Sequence, residues 1–302
     1  MRSTWLASLL CLTGCSIGTA DLPDPPDGGR DAGTVDGGSF PDAGDARDSG
    51  LPLDGGADAG ALPDSGTPAD AGPGDAGPPS HASCSQTPDL KGSTARSAAG
   101  NPYSAYVPSS YDPRQAVPLV VALHGAGDTA ANYLQFMWRA NADARGFIVI
   151  APEGTFAYAG GFAWYGSDDA LVVAALDDVQ KCYSIDPRRI IVNGFSAGGT
   201  MAYFIGLTRA ARFSGLAIQS SSLSAGQSVA GANLLPAAWK IPVSHFHGDQ
   251  DQNFMAADAQ NGINRLMTAG HPVFWHLFSG GHTAKAADAL AEFDELKLYT
   301  SP

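Results

Sequence analysis

The stretch that decides the fold is residues 189–199, which read RIIVNGFSAGG. Its first part is an apolar run of buried-strand length, and the residues that follow Ser196 are typical of a helix. Glycines at positions 194 and 198 allow a sharp turn between the two elements. This Gly-x-Ser-x-Gly pattern therefore predicts that Ser196 is lifted above a sheet at the start of a helix. The alternative is a serine that only caps the helix.

Short apolar runs alternate with helical stretches on both sides of this segment. Apolar strands separated by helices indicate an α/β protein, with a mostly parallel sheet and helices on both faces. Ligands in such folds bind at the carboxyl ends of the strands. The predicted strands are 118–124, 147–152, 189–195, 215–219, 242–247 and 273–278, and the predicted helices cover about 130–144, 168–182, 197–212, 256–269 and 284–296.

Two later strand ends carry the groups that a nucleophilic serine requires. A serine hydroxyl is a weak nucleophile and needs a base within hydrogen-bond reach. Asp249 and Asp251 follow the strand at 242–247, and His282 follows the strand at 273–278. The order serine, acid, histidine matches triads built on this kind of sheet. We therefore expect His282 to be the base and either aspartate to be the acid.

A triad of this kind also needs donors for the oxyanion that forms during acyl transfer. One expected donor is the backbone N–H of Ala197, directly after the serine. The second is expected in the loop after the first predicted strand, at Ala126 or its neighbour Gly127. His124 in the same loop is expected to brace it by hydrogen bonding. Trp164 and Tyr165 are candidates for lining an acyl pocket, the alternative being ordinary core aromatics.

Charge is distributed unevenly along the chain. The formal net charge is −13, but residues 21–80 alone hold 13 Asp and 2 Arg, and residues 81–302 are close to neutral. A near-neutral body without a basic cluster argues against nucleic-acid binding. Residues 21–80 also hold 14 Gly and 10 Pro. Such a composition cannot bury enough apolar surface to fold, so it predicts a disordered linker.

The N-terminus has the features of an export signal. Arg2 precedes an apolar run from Trp5 to Leu12, which is too short to span a bilayer. The run ends in Leu12-Thr13-Gly14-Cys15, which resembles the bacterial lipobox, and the following Ser16 is typical of outer-membrane sorting. The predicted organisation is a lipoprotein signal peptide at 1–14, lipidated Cys15 with a linker to 82, and a catalytic domain at 83–302. The alternative is an ordinary signal peptide and a secreted protein.

Export also bears on the remaining cysteines. Cys11 would leave with the signal peptide and Cys15 would carry lipid, which leaves Cys84 and Cys182. In an oxidising compartment we expect these two to form a disulfide, the alternative being two separate thiols.

Metal and phosphate sites are poorly supported. Asp249-x-Asp251-x-Asn253 begins like a calcium loop, but Phe254 stands where glycine is needed and Gln260 where glutamate is needed. His245 and His247 share a strand face without further metal-binding residues nearby. The sequence also lacks a P-loop motif. We therefore expect no metal or cofactor.

The chain resembles secreted bacterial esterases of the polyhydroxyalkanoate depolymerase and feruloyl esterase group, which are similar to carbohydrate esterase family 1. The matching motifs are Tyr106-Val107-Pro108, Leu123-His124-Gly125, GFIVIAPEG at 146–154, SIDPRRIIVNGFSAGG at 184–199, HGDQD at 247–251 and Gly280-Gly281-His282.

This resemblance implies an α/β-hydrolase fold and ester hydrolysis through an acyl-enzyme. It implies Ser196 as nucleophile, Asp251 as acid and His282 as base, with Ala126 and Ala197 as oxyanion donors. Many relatives have cysteine at the position of Ala126, and the stretch around Trp164 is shortened here. The expected substrates are feruloyl or acetyl esters of polysaccharides, or polyesters. A serine peptidase on the same fold and a non-enzymatic surface binding protein are the alternatives.

Overall fold

The computed structural model describes residues 81–236 and 239–302. The strands are β1 Gly92–Ala98, β2 Asn101–Val107, β3 Val117–Leu123, β4 Ile148–Pro152, β5 Phe156–Tyr158, β6 Gly161–Ala163, β7 Ile185–Phe195, β8 Gly215–Gln219, β9 Val243–Gly248 and β10 Val273–Phe278. The helices are α1 Ala130–Tyr133, α2 Arg139–Arg145, α3 Asp169–Cys182, α4 Ala197–Thr208, α5 Leu223–Ala230, α6 Ala256–Thr268 and α7 Ala286–Leu296, and a π-helical turn at Leu134–Trp138 joins α1 to α2.

Eight of these strands form one sheet in the order β1-β2-β4-β3-β7-β8-β9-β10. The six strands from β4 to β10 in that order run parallel, and β2 and β1 are added antiparallel at one edge. Strands β5 and β6 form a separate antiparallel hairpin. The prediction of a mostly parallel sheet is confirmed, and all six predicted strands are present within a few residues.

Both faces of the sheet are covered, which explains why its strands are continuous apolar runs. In β3, the side chains of Leu119, Val121 and Leu123 join one hydrophobic cluster, which also contains residues of α3 and α4. Val120 and Ala122 join the cluster on the opposite face, with residues of α7 and the π-helical turn. Successive side chains of a strand point to opposite faces of the sheet. Because both faces are covered, apolar residues do not alternate with polar ones along these strands.

Strands β1, β2, β5 and β6 were not predicted. Strand β1 reads GSTARSA, and Arg96 is its only buried residue. Its place in the sheet comes from pairing with β2 across the short turn at residues 99–100 rather than from hydrophobicity. The predicted helix at 130–144 is also interrupted by the π-helical turn.

A disulfide joins Cys84 to Cys182, at the end of α3. Arg96 lies beside it and donates hydrogen bonds to the Tyr103 hydroxyl at 2.7 Å and to Asp178 at 3.3 Å. This buried polar cluster attaches the segment before β1 to the main sheet. The predicted signal peptide, Cys15 and almost all of the linker lie outside the described residues. Within residues 81–236 and 239–302, the helices are too short or too polar to cross a bilayer.

Candidate active site

Ser196 lies on the sharp turn between β7 and α4, with a backbone φ of 55°. This left-handed conformation is strained for a residue with a side chain and is typical of functional turns. The flanking glycines are sterically required. A Cβ at Gly194 would lie 2.1 Å from the Gly198 carbonyl oxygen, and one at Gly198 would lie 2.0 Å from the Leu123 carbonyl oxygen. The turn therefore holds the serine at the carboxyl end of the sheet.

His282 lies in the loop between β10 and α7. Its Nε2 accepts a hydrogen bond from the Ser196 hydroxyl at 2.9 Å, and its Nδ1 donates to Asp251 Oδ2 at 2.8 Å. The acceptor-only carboxylate fixes the proton on Nδ1 and leaves Nε2 as the acceptor. Three residues from three separate loops thus form one hydrogen-bonded line.

The environment of Asp251 favours its ionised form. Its side chain is fully buried, and burial alone would raise its pKa. The bond from His282 and the amides of Phe254 and Asn253 outweigh that burial and lower the pKa below its usual value. Those two amides donate to Asp251 Oδ1 at 2.9 and 2.8 Å. The carboxylate is therefore both charged and oriented.

The structure distinguishes the two aspartates that the sequence left open. Asp249 is exposed, and its Oδ1 accepts a hydrogen bond from the Gly280 amide at 3.0 Å. It therefore braces the loop that carries His282, whereas Asp251 contacts the imidazole itself.

The two segments that carry the predicted oxyanion donors contact each other, because Gly198 lies against the Leu123 and His124 carbonyls. Ala197 is the first residue of α4, so its N–H has no acceptor within the helix. The Gly127 N–H is occupied, because it donates to the Phe162 carbonyl at 2.9 Å. The Ala126 N–H has no acceptor among the described residues. Ala126 is thus the better placed of the two candidates in this loop.

His124 and Trp164 hold the loop of Ala126 in place. The buried His124 ring donates through Nδ1 to the Gly125 carbonyl at 2.8 Å, and its Nε2 accepts from the Gly154 amide at 3.2 Å. The Trp164 indole donates to the His124 carbonyl at 2.8 Å, and the two rings lie 4.8 Å apart. Trp164 therefore packs beneath this loop. Tyr165 is half exposed and contacts Phe156.

Two phenylalanines that the sequence analysis missed flank the imidazole of His282. The Phe195 ring lies 5.0 Å away with an interplanar angle of 32°, and the Phe254 ring lies 5.8 Å away at 22°. Phe195 lies inside the Gly-x-Ser-x-Gly motif and Phe254 lies three residues after Asp251, and this proximity in sequence is the signal that could have revealed them. Aromatic faces are favourable neighbours for a ring that becomes cationic.

Two cavities of about 320 and 560 Å³ are lined by residues of α6 and of the end of α4, and neither contains Ser196, Asp251 or His282. In the part of the chain that the structure describes, no cluster of three or more metal-ligating side chains is found.

A parallel sheet with a serine on the sharp turn after a central strand, and with an acid and a histidine on later strand ends, defines the class of α/β hydrolases. This chain has the α/β-hydrolase fold. The family model described as Phospholipase/Carboxylesterase matches residues 166–288, a range that includes all three residues of the hydrogen-bonded line.

The sequence is similar to those of esterases and depolymerases. The chain is 32% identical over 155 residues to a bifunctional acetylxylan esterase/xylanase of Neocallimastix patriciarum, covering 51% of this chain and 22% of that protein. It is 30% identical over 182 residues to poly(3-hydroxyalkanoate) depolymerase C of Paucimonas lemoignei, covering 49% and 44%. It is 31% identical over 133 residues to feruloyl esterase C of Emericella nidulans, covering 42% and 48%. The chain thus spans less than half the length of each of these relatives.

Solved structures agree on the fold. The crystal structure of esterase PE8 superposes with a TM-score of 0.53 and 21% identity, covering 68% of this chain and 100% of that one. A ferulic acid esterase superposes with a TM-score of 0.53 and 17% identity, covering 68% and 96%. At these identities the similarity concerns the fold alone.

Proposed function

We propose that the protein is a serine esterase that hydrolyses carboxylic esters through an acyl-enzyme at Ser196. The observation that carries this proposal is the hydrogen-bonded line from the Ser196 hydroxyl through His282 to Asp251, at 2.9 and 2.8 Å. The names of the relatives, which include acetylxylan and feruloyl esterases, support an ester substrate.

In the acylation step, Ser196 Oγ attacks the ester carbonyl carbon while His282 Nε2 takes the hydroxyl proton. The carbonyl electron pair moves onto oxygen, and the N–H groups of Ala126 and Ala197 stabilise the resulting oxyanion. Asp251 stabilises the imidazolium that forms. Collapse of the tetrahedral intermediate breaks the ester C–O bond, and His282 returns its proton to the departing alcohol.

Deacylation repeats the sequence with water. His282 Nε2 takes a proton from a water molecule, whose oxygen attacks the acyl carbon. The second tetrahedral intermediate expels Ser196 Oγ, which recovers its proton from His282. The products are a carboxylic acid and the free enzyme, so no cofactor is consumed.

The test is hydrolysis of p-nitrophenyl acetate by the full chain and by Ser196→Ala. Loss of the nucleophile is expected to lower kcat by roughly 10⁶-fold when the three residues act as a unit. Ser97→Ala, in β1 at the far edge of the sheet, is the matched control and should keep wild-type kcat. Equal rates for wild type and Ser196→Ala would refute the proposal, as would failure of a fluorophosphonate probe to label Ser196.

We further propose that the substrate is a feruloyl or acetyl ester on a polysaccharide, or a polyester of the hydroxyalkanoate type. A panel of feruloyl, acetyl and hydroxybutyrate esters with a common alcohol separates these by kcat/KM. Faster cleavage of matched peptide p-nitroanilides than of the esters would indicate a peptidase instead.

We also propose export, with lipidation at Cys15. Support comes from the sequence Leu12-Thr13-Gly14-Cys15 after a short apolar run. Metabolic labelling with a palmitate analogue in a bacterial host should label the full chain and fail with Cys15→Ala. Cys11→Ala is the matched control, because that cysteine lies four residues upstream and would leave with the signal. Label retained by Cys15→Ala would refute the proposal.

A further inference from the structure

A line of buried side chains that the mechanism does not use runs beneath the Asp251 loop. The Tyr203 hydroxyl of α4 lies 2.9 Å from His245 Nδ1 of β9, and His245 Nε2 lies 3.2 Å from His247 Nδ1. His247 Nε2 then lies 2.8 Å from the Phe254 carbonyl oxygen. The three residues that take part through their side chains are at most 1% exposed: Tyr203, His245 and His247.

Hydrogen-bond chemistry determines where every proton in this line lies. The Phe254 carbonyl can only accept, so His247 carries its proton on Nε2. Burial lowers the pKa of His247, so the ring is neutral and its Nδ1 accepts from His245 Nε2. Burial lowers the pKa of His245 even further, so its Nδ1 accepts from the Tyr203 hydroxyl. The line is therefore directional, from Tyr203 to Phe254.

The line ends at the residues that orient the carboxylate. The Phe254 amide donates to Asp251 Oδ1, and the carbonyl of the same residue accepts from His247. His247 Nε2 also lies 3.6 Å from Asp251 Oδ2, the oxygen that faces His282. Trp275 of β10 stacks on His247 at 5.9 Å and covers it from the side of the sheet edge.

We propose that His247 is a positioning residue for Asp251. As the Nε2–H tautomer, whose Nδ1 accepts from His245, it holds the Phe254 carbonyl and thereby keeps Asp251 Oδ2 directed at His282. A neutral His247 also leaves that oxygen to His282, whereas a charged ring 3.6 Å away would compete for it. This inference rests on the proposed role of Asp251 in ester hydrolysis.

Two substitutions of His247 test separately the hydrogen bonds of its two ring nitrogens. In His247→Gln the amide nitrogen replaces Nε2 and can still donate to Phe254. In His247→Asn the amide replaces Nδ1 and can bond only to His245. We expect His247→Asn to lower kcat by about 10- to 100-fold with little change in KM, because misplaced catalytic groups cost that much. His247→Gln should recover most of the loss.

The pH profile separates positioning from a general packing defect. With Asp251 misdirected, the carboxylate stabilises the imidazolium less, so the acid limb of kcat/KM should move to lower pH in His247→Asn. The ionisable groups that face His247 are His245, Asp251, His282 and Asp258, and all remain in the variant. His271→Asn is the matched control, because this buried histidine bonds to the Ile241 carbonyl and lies outside the line. Its acid limb should not move.

Active-site titration with a fluorophosphonate corrects each rate for the fraction of folded enzyme. Equal rates and equal acid limbs in His247→Gln and His247→Asn would overturn the proposal. A variant-free measurement is ¹⁵N NMR of the wild-type imidazoles, which should give protonated Nε2 and unprotonated Nδ1 for both His245 and His247. A charged or Nδ1–H His247 at neutral pH would overturn it too. This readout needs no esterase activity, so it separates failure of this inference from failure of the proposed function.

Discussion

Asp249 and Asp251 are two residues apart in one loop, yet they make different contacts. Asp251 is buried against His282, and Asp249 is exposed and accepts from the Gly280 amide. Because a carboxylate stabilises an imidazolium only in contact, the two residues should contribute very differently to a triad.

Asp251→Asn is expected to lower kcat by about 10⁴-fold, since the amide no longer fixes the tautomer of His282. Asp249→Asn should lower kcat far less, because it weakens only a loop contact. Steady-state kinetics at neutral pH compare the two. Similar losses in both variants would contradict the assignment of Asp251 as acid.

Glu292 of α7 is a fully buried carboxyl that lies outside the hydrogen-bonded line of Ser196, His282 and Asp251. It accepts from the Gln219 amide at 2.9 Å, and its Oε1 has no hydrogen-bond partner among the described residues. Burial raises the pKa of Glu292 well above its usual value, so folding favours the neutral carboxyl.

In the unfolded chain Glu292 ionises above its ordinary pKa of 4.5. The contribution of Glu292 to the unfolding free energy therefore falls as pH rises from that value toward the raised pKa. Glu292→Gln should match wild type near pH 4.5 and become more stable than wild type at higher pH, by up to about 1.4 kcal/mol per pH unit. Urea unfolding from pH 5 to 8 measures this, and a pH-independent difference would contradict it.

At the level of elements, the turn at Ser196 and the Ala126 loop pack against each other. Gly198 permits contact with the Leu123 and His124 carbonyls, and Trp164 donates to the latter from beneath. Trp164 of the shortened stretch therefore supports the loop that carries Ala126.

Trp164→Phe should lower kcat by about tenfold or more, because the loop that presents the Ala126 N–H loses its brace. Trp239→Phe is the matched control, since the Trp239 indole nitrogen has no partner within the described residues. Its kcat should stay near wild type. An unchanged kcat in Trp164→Phe would show that the loop holds its geometry without this bond.

For the molecule as a whole, the disulfide closes a loop of 98 residues. Cross-links of that span restrict the unfolded chain strongly. The double variant Cys84→Ser, Cys182→Ser should lose about 2–5 kcal/mol of unfolding free energy, with kcat at 25 °C unchanged because neither cysteine contacts the site. Reductant should lower the Tm of wild type and leave that of the variant unaffected. Equal Tm values for wild type and variant would contradict this.

Three buried neutral histidines, His245, His247 and His271, make the whole molecule sensitive to acid. Burial lowers the pKa of each below its ordinary value of 6.5. Only the unfolded chain takes up these protons as pH falls below about 6.5, so the unfolding free energy should decline there. Urea titrations at pH 5, 6 and 7 test the sign. His271→Asn should reduce the slope, and a free energy that rises toward pH 5 would contradict the reasoning.

The six parallel strands and the serine turn were predictable because their signals are local. Apolar runs such as FIVIAP indicate a strand that is buried on both faces of the sheet. Gly194 and Gly198 indicate a turn that has no room for side chains. Strands β1, β5 and β6 lack such runs, and they form through pairing with neighbours. The π-helical turn at Leu134–Trp138 carried no recognisable sequence signal.

The sequence by itself determined a parallel α/β sheet and placed a serine, two aspartates and a histidine at its strand ends, because strand length and glycine position are read within a few residues. Only the tertiary structure decided which aspartate meets His282, which backbone N–H of the Ala126 loop has no acceptor among the described residues, and that His247 contacts the Phe254 carbonyl. Those relations are distances between atoms far apart in the chain, and they exist only after packing has brought the strand ends together.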